Sequence, residues 1–259
     1  MARSRLSEVA GYIDGVLRIS EIPDHPHALN GLQVENDGEI TGVAAAVDAR
    51  STTINGAVDA GMSLLLVHHG LFWSGLKPFT GAYRRKISML LQNNVALYSA
   101  HLPLDAHAEI GNNVLLARAL GLDPSGGFAR HEAIHIGVQG NTELPSADLV
   151  VRCADFAAKY GGIARSAGLT PSRMTRRWAI CTGAGASSDT IAEARESGID
   201  TLIVGEGPHW TAVDAEEYDL VIIYAGHYAT ETLGVQALAK DLALRFGFPW
   251  KFVHAPTGL

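Results

Sequence analysis

Short runs of strand-forming apolar residues alternate along this chain with stretches whose apolar positions recur every three or four residues. Val9, Ile13 and Val16-Leu17 fall at helical spacing, so 6–19 reads as an amphipathic helix. The segment Glu21-Ile-Pro-Asp-His-Pro-His27 breaks it, because two closely placed prolines cannot continue a helix. A turn at 28–34 enters a short strand, and 40–47 is the first sustained strand. Ser51 is placed to cap the helix that follows and Gly61 to end it. Further strands are expected at 64–67, 95–100, 133–139, 178–181, 201–204, 220–224 and 250–254. Helices are expected at 83–92, 112–120, 146–160, 188–197 and 229–246, with a short one after His209. This alternation predicts an α/β protein of two interlocked lobes, with mostly parallel or mixed sheets flanked by helices. Turn formers crowd Gly121-Leu-Asp-Pro-Ser-Gly-Gly127, so the lobes are divided there, into 1–125 and 126–259.

The composition narrows the class. Apolar residues make up 47%, ordinary for a globular protein. No apolar run reaches the roughly 18 residues of a spanning helix, and Met1-Ala-Arg-Ser-Arg-Leu6 lacks the apolar stretch of a signal peptide. A cytoplasmic protein with no membrane association is expected. Cys153 and Cys181 have no CxxC spacing and read as reduced core residues. The net charge of −7 argues against general nucleic-acid binding, which needs clustered Lys and Arg. The one dense basic run, Arg173-Met-Thr-Arg-Arg177, reads either as a solvated turn or as a contact for an anionic substrate or subunit.

Candidate chemistry gathers where apolar strands open into loops, the usual place for sites in α/β proteins. His68 and His69 follow the strand Leu64-Leu-Leu-Val67. Adjacent side chains at a strand end diverge, so the pair can serve two metal ions; alternatively one caps a strand carbonyl and the other faces solvent. His101 and Asp105 sit in the loop after the 95–100 strand, where Pro103 argues against a helical pair. Asp105 can bridge metals or simply close a turn. His227 and Glu231 are four apart at a helix start, so they share a face and can converge on one ion. The other reading is a glutamate complementing the helix dipole beside a buried histidine. Three such loops together point to one shared site. Glu206 and His209 can orient ligands from behind, or act as a cap and a surface residue. The turn Thr182-Gly-Ala-Gly-Ala-Ser187 can cradle a phosphate at a helix start, but lacks a P-loop ending and the full GxGxxG fingerprint, so a tight structural turn is favoured. No GxSxG elbow is present, and neither cysteine sits in an activating context.

The chain resembles the dinuclear-metal-centre hexameric proteins labelled as GTP cyclohydrolase I type 2-like. The resemblance is carried by Leu29-Asn-Gly-Leu-Gln-Val34, Val67-His-His-Gly-Leu-Phe-Trp73, Ser99-Ala-His-Leu-Pro-Leu-Asp105, Cys181-Thr-Gly-Ala-Gly185, Gly205-Glu206 and Gly226-His-Tyr-Ala-Thr-Glu231, in order along nearly the whole chain. It implies metal ligands at His68, His69, Asp105, His227 and Glu231, with His101 beside them and Glu206 and His209 lining the cavity. It further implies a ring-shaped homo-hexamer holding two divalent ions per chain. Imidazole and carboxylate ligands suit Zn, Fe, Mn or Ni alike. The expected function is metal-dependent hydrolysis, GTP cyclohydrolase-like or phosphoester-directed, on a nucleotide-like small molecule, with His101 or Glu206 moving the proton. The alternative is a non-enzymatic hexamer that stores or delivers metal or regulates a partner.

Overall fold

The structure is a computed structural model and describes residues 2–259. The chain opens with β1 (Ser4–Arg5) and α1 (Leu6–Leu17), which buries Leu6, Val9, Ala10, Ile13 and Leu17 along one stripe. Arg18, in the left-handed region at φ 54°, ends α1 two residues before the expected stop. Strands β2 (Gly31–Val34), β3 (Glu39–Ile40) and β4 (Val43–Asp48) follow, then α2 (Ser51–Asp59). Ser51 is the first residue of α2 and not its cap. Thr53 takes that role: its hydroxyl accepts from the Arg50 N–H and lies 2.6 Å from the Asp48 carbonyl. Gly61, at φ 67°, turns the chain after the helix as expected. Next come β5 (Leu64–His69), α3 (Gly81–Gln92), β6 (Ala96–Ser99) and α4 (Leu102–Asp105). The sequence reading makes 101–107 a loop because of Pro103. The structure puts Pro103 in the first turn of a short helix, where its missing N–H costs nothing.

The chain continues through α5 (Asn112–Ala119), β7 (Gly126–His131), β8 (Ile134–Pro145), α6 (Ser146–Lys159), β9 (Arg165–Ala167) and β10 (Met174–Cys181). Strand β7 occupies part of the turn-rich stretch, burying only Phe128 and Ala129 fully, so its apolar signal is weak. After α7 (Ser188–Glu196), β11 (Thr201–Val204), α8 (Trp210–Glu217) and β12 (Val221–Tyr224), the expected helix at 229–246 is two, α9 (His227–Thr230) and α10 (Thr232–Phe246), separated at Glu231. Strand β13 (Trp250–Phe252) ends the regular structure.

Two compact units result, comprising 1–104 with 234–255, and 105–233 with 256–259. They differ from a single cut near residue 125: the chain leaves the first unit just before Asp105 and returns within α10. In the first unit the sheet order is β13-β4-β5-β6-β2, parallel except for β2. Ile54, Ala57, Leu65, Val67, Leu90, Leu97 and Val253 build one of its cores. In the second unit the order is β7-β8-β10-β11-β12-β9, with a parallel centre of β10, β11 and β12 and antiparallel strands at both edges. Helices pack on both faces of this sheet: Leu116, Leu149, Phe156, Trp178, Ile203 and Ile223 form one core, and Ile191, Ala194, Leu202 and Ile222 the other. Both cysteines are free and buried, Cys153 in the first of these cores and Cys181 in the second. No described helix is long and apolar enough to cross a membrane.

Trp178 is fully buried on β10, and a Cβ on Gly140 would stand 2.5 Å from its ring, so the indole occupies space that only glycine leaves open. Trp178→Ala is expected to lower the unfolding free energy by about 3–5 kcal/mol, measured by chemical denaturation, with the helix and strand content retained.

Candidate metal centre

In the first unit the parallel strands β4, β5 and β6 end side by side, at Asp48, at His68-His69 and just before His101. His68 is fully buried, and its Nδ1 lies 2.9 Å from the Ala100 carbonyl oxygen. A carbonyl only accepts, so Nδ1 carries the proton and Nε2 the lone pair. The His69 Nδ1 lies 2.9 Å from Asp48 Oδ1, and the His101 Nδ1 lies 2.8 Å from Asp24 Oδ1. The same reasoning gives both rings the same tautomer. His68 is thus held from the β6 side and His69 from the β4 side, and their ring centroids are 4.8 Å apart. The expected divergence of this pair does not occur. One ligand nitrogen from each of His68, His69 and His101 lies within 4.8 Å of the others, a set that can hold a metal ion. Trp73 packs edge-on against His101 at 4.6 Å and His69 at 5.7 Å between centroids, bracing both rings.

The second unit carries the other candidates. Asp105 is buried, and its Oδ1 accepts from Asn112 Nδ2 at 2.8 Å. The neighbouring Asn113 accepts the Thr182 N–H and donates to the Ile136 carbonyl, tying the start of α5 to β8 and β10. His227 begins α9 after β12; its Nδ1 lies 2.8 Å from Glu206 Oε1 and its Nε2 3.2 Å from Glu231 Oε2. Burial opposes the charge on His227, but the bonds and charges of Glu231 and then Glu206 outweigh it and push its pKa up to about 9. His227 and Glu231 do share a face, as their spacing predicts. Glu206 sits where the orienting reading puts it, holding the His227 ring, while His209 is an exposed residue at the start of α8.

The 182–187 turn works as a structural turn. The N–H groups of Thr182, Gly183, Ala186 and Ser187 go to Asn113, Thr230, Glu206 and Thr190, and Ser187 caps α7. Its glycine nevertheless serves the site. At Gly183, φ 63°, a Cβ would stand 2.1 Å from Glu231 Oε1 and 3.4 Å from His227 Nε2. Arg173 of the basic run pairs with Asp219 at 2.6 Å, and the N–H groups of Arg176 and Arg177 donate to Asp200. Sequence reasoning missed Asp24, Asp48, Asn112 and Asn113. The available signal for Asp48 was a carboxylate ending an otherwise apolar strand; Asp24 lies between two prolines and carries no such mark.

The Duf34/NIF3 (NGG1p interacting factor 3) family profile matches residues 4–256. The chain belongs to this family. It is 40% identical to a Deinococcus radiodurans protein named GTP cyclohydrolase 1 type 2 homolog, over 97% of this chain and 94% of that one. It is 39% identical to a Pyrococcus abyssi protein of the same name, over 97% and 98%. Among solved structures it is similar to protein ybgI, described as of unknown function, with a TM-score of 0.88 and 32% identity over 99% of this chain and 100% of that one. TTHA1606 from Thermus thermophilus matches with a TM-score of 0.82 and 35% identity, over 99% and 100%. HcgD from Methanocaldococcus jannaschii, 24% identical over 98% and 100% with a TM-score of 0.83, shares the fold.

Two outcomes test this geometry. Gly183→Ala is expected to displace the Glu231 carboxylate and weaken divalent-ion binding by the chain, read by titration calorimetry with zinc. In metal-free protein the raised pKa of His227 contributes stability that is complete below pH about 6.5 and lost as pH rises through about 9. Melting temperatures should therefore fall over that window, and His227→Gln should flatten the fall.

Proposed function

We propose that the chain binds two divalent metal ions through His68, His69, Asp105, His227 and Glu231 and uses them to hydrolyse a nucleotide-like or phosphorylated small molecule. The observation that carries the reading is the common treatment of the imidazoles. His68, His69 and His227 each give Nδ1 to an oxygen acceptor, the Ala100 carbonyl, Asp48 and Glu206 respectively. This is how proteins fix a histidine that uses Nε2 as a ligand, since the outer acceptor sets the tautomer and raises the basicity of the ligand nitrogen. The donor set of imidazole and carboxylate suits Zn, Fe, Mn or Ni.

Bound divalent ions supply Lewis acidity, stabilising negative charge that develops on a substrate oxygen. The protein's residues do the rest. Asn112 aligns the Asp105 carboxylate by a hydrogen bond to one of its oxygens. Glu206 orients His227, and so acts through that ring; His101 is the group that moves the proton. A homo-hexamer is the assembly that the family resemblance implies, and the curated relatives' shared name supports a nucleotide-like substrate for this chain.

The test begins with metal content. Purified protein is expected to carry about two divalent ions per chain by elemental analysis, and His68→Ala and Asp105→Ala to lose them while remaining folded. Full occupancy in both variants would sink the ligand assignment. A screen of metal-replete protein against nucleotides and phosphoesters then decides the activity; no turnover on any of them points to a storage or regulatory role.

A further inference from the structure

The segment that breaks the chain after α1 holds a buried and heavily engaged carboxylate, that of Asp24. The Asp24 side chain is 5% exposed and serves four donors. Its Oδ1 accepts from the His25 N–H at 2.6 Å and from His101 Nδ1 at 2.8 Å. Its Oδ2 accepts from Asn30 Nδ2 at 2.7 Å and from the Leu102 N–H at 2.9 Å, with His101 Nδ1 at 3.1 Å from the same atom. Asn30 completes the clamp by accepting the His101 N–H at 2.7 Å. A proline-flanked loop is thereby fastened to both the backbone and the ring of the residue that follows β6.

We infer that Asp24 is the positioning residue of His101, fixing its ring with the proton on Nδ1 so that a basic Nε2 is presented beside His68 and His69. Three facts support this. The ring is pinned at one edge by Asp24 and packed edge-on by Trp73, so it has one orientation. A carboxylate flanked by three other donors cannot itself give a proton to Nδ1 without losing one of those bonds. The ligand nitrogens of His68, His69 and His101 fall within 4.8 Å of one another, so the tautomer of His101 decides whether this cluster gains a third lone pair or an N–H. The inference rests on the proposed metal-dependent function for its purpose, though not for its test.

The discriminating substitution is Asp24→Asn. Asn30 and Leu102 both donate toward the Oδ2 position and the His25 N–H alone toward Oδ1, so the new amide is expected to place its oxygen at Oδ2, keeping two bonds and giving up one. Its NH2 then takes the Oδ1 position and points at His101 Nδ1. The imidazole must accept at Nδ1 and carry its proton on Nε2. Long-range 1H–15N spectra of histidine-labelled, metal-free protein read this directly. Wild type is expected to show His101 as the Nδ1–H tautomer and Asp24→Asn as the Nε2–H tautomer. Asn30→Ala, which loosens the same segment without touching Nδ1, is expected to keep the wild-type tautomer. A wild-type His101 protonated on Nε2, or an Asp24→Asn protein still protonated on Nδ1, overturns the inference. Should Asp24→Asn fail to fold by circular dichroism, the wild-type spectrum still decides. Wild-type protein that takes up no zinc while showing the expected tautomer counts against the metal reading alone.

Discussion

A buried imidazole has two nitrogens of opposite character, and the protein must decide which carries the proton. Most of the site's architecture follows from that constraint. His68, His69 and His101 meet it in the same way, by facing Nδ1 toward an oxygen that can only accept, while His227 lies between two carboxylates, Glu206 at Nδ1 and Glu231 at Nε2. Among these acceptors one is a main-chain carbonyl and the others are carboxylates, and the cost of burying Asp24 is offset by the bonds it receives. The strands then have a second task beyond forming a core: β4 must end on an acid, β5 on two histidines, and β6 must lead into a carbonyl and a third histidine.

The second unit solves the same problem with less backbone. Its ligand candidates stand in and beside short helices, where Asp105 meets Asn112 and where His227 leads a four-residue helix that stops at Glu231. Close approach is made possible by glycine. Gly183 and Gly205 pack so near this group that any side chain would occupy the space of the Glu231 carboxylate or the His227 backbone. Small residues here are as much a part of the site as the acids.

Much of the α/β framework was legible because its strands are short, continuously apolar and bounded by turn formers. The ligand candidates were legible too, since polar residues at the ends of such strands stand out. What escaped were the residues that hold those candidates in place. Asp24 and Asp48 act across 77 and 21 positions of sequence, and no local pattern encodes a partner at that distance. Helix boundaries failed where a side chain replaced the expected cap, as Thr53 does for Ser51, and where a proline was tolerated in a first turn, as Pro103 is. The pairing of β13 beside β4 was equally invisible, because it joins strands some two hundred residues apart.

That last pairing has a consequence for biogenesis. β4 receives its neighbour on one side only from residues 250–252, and Val253 fills the space beside Gly56. During synthesis, therefore, the sheet bearing His68 and His69 emerges early but keeps an open edge until the second unit's strands have been made. Pairing of this sheet cannot be completed before residues 250–252 have been made, and an unpaired β4 edge is the surface a chaperone would have to shield in the interval.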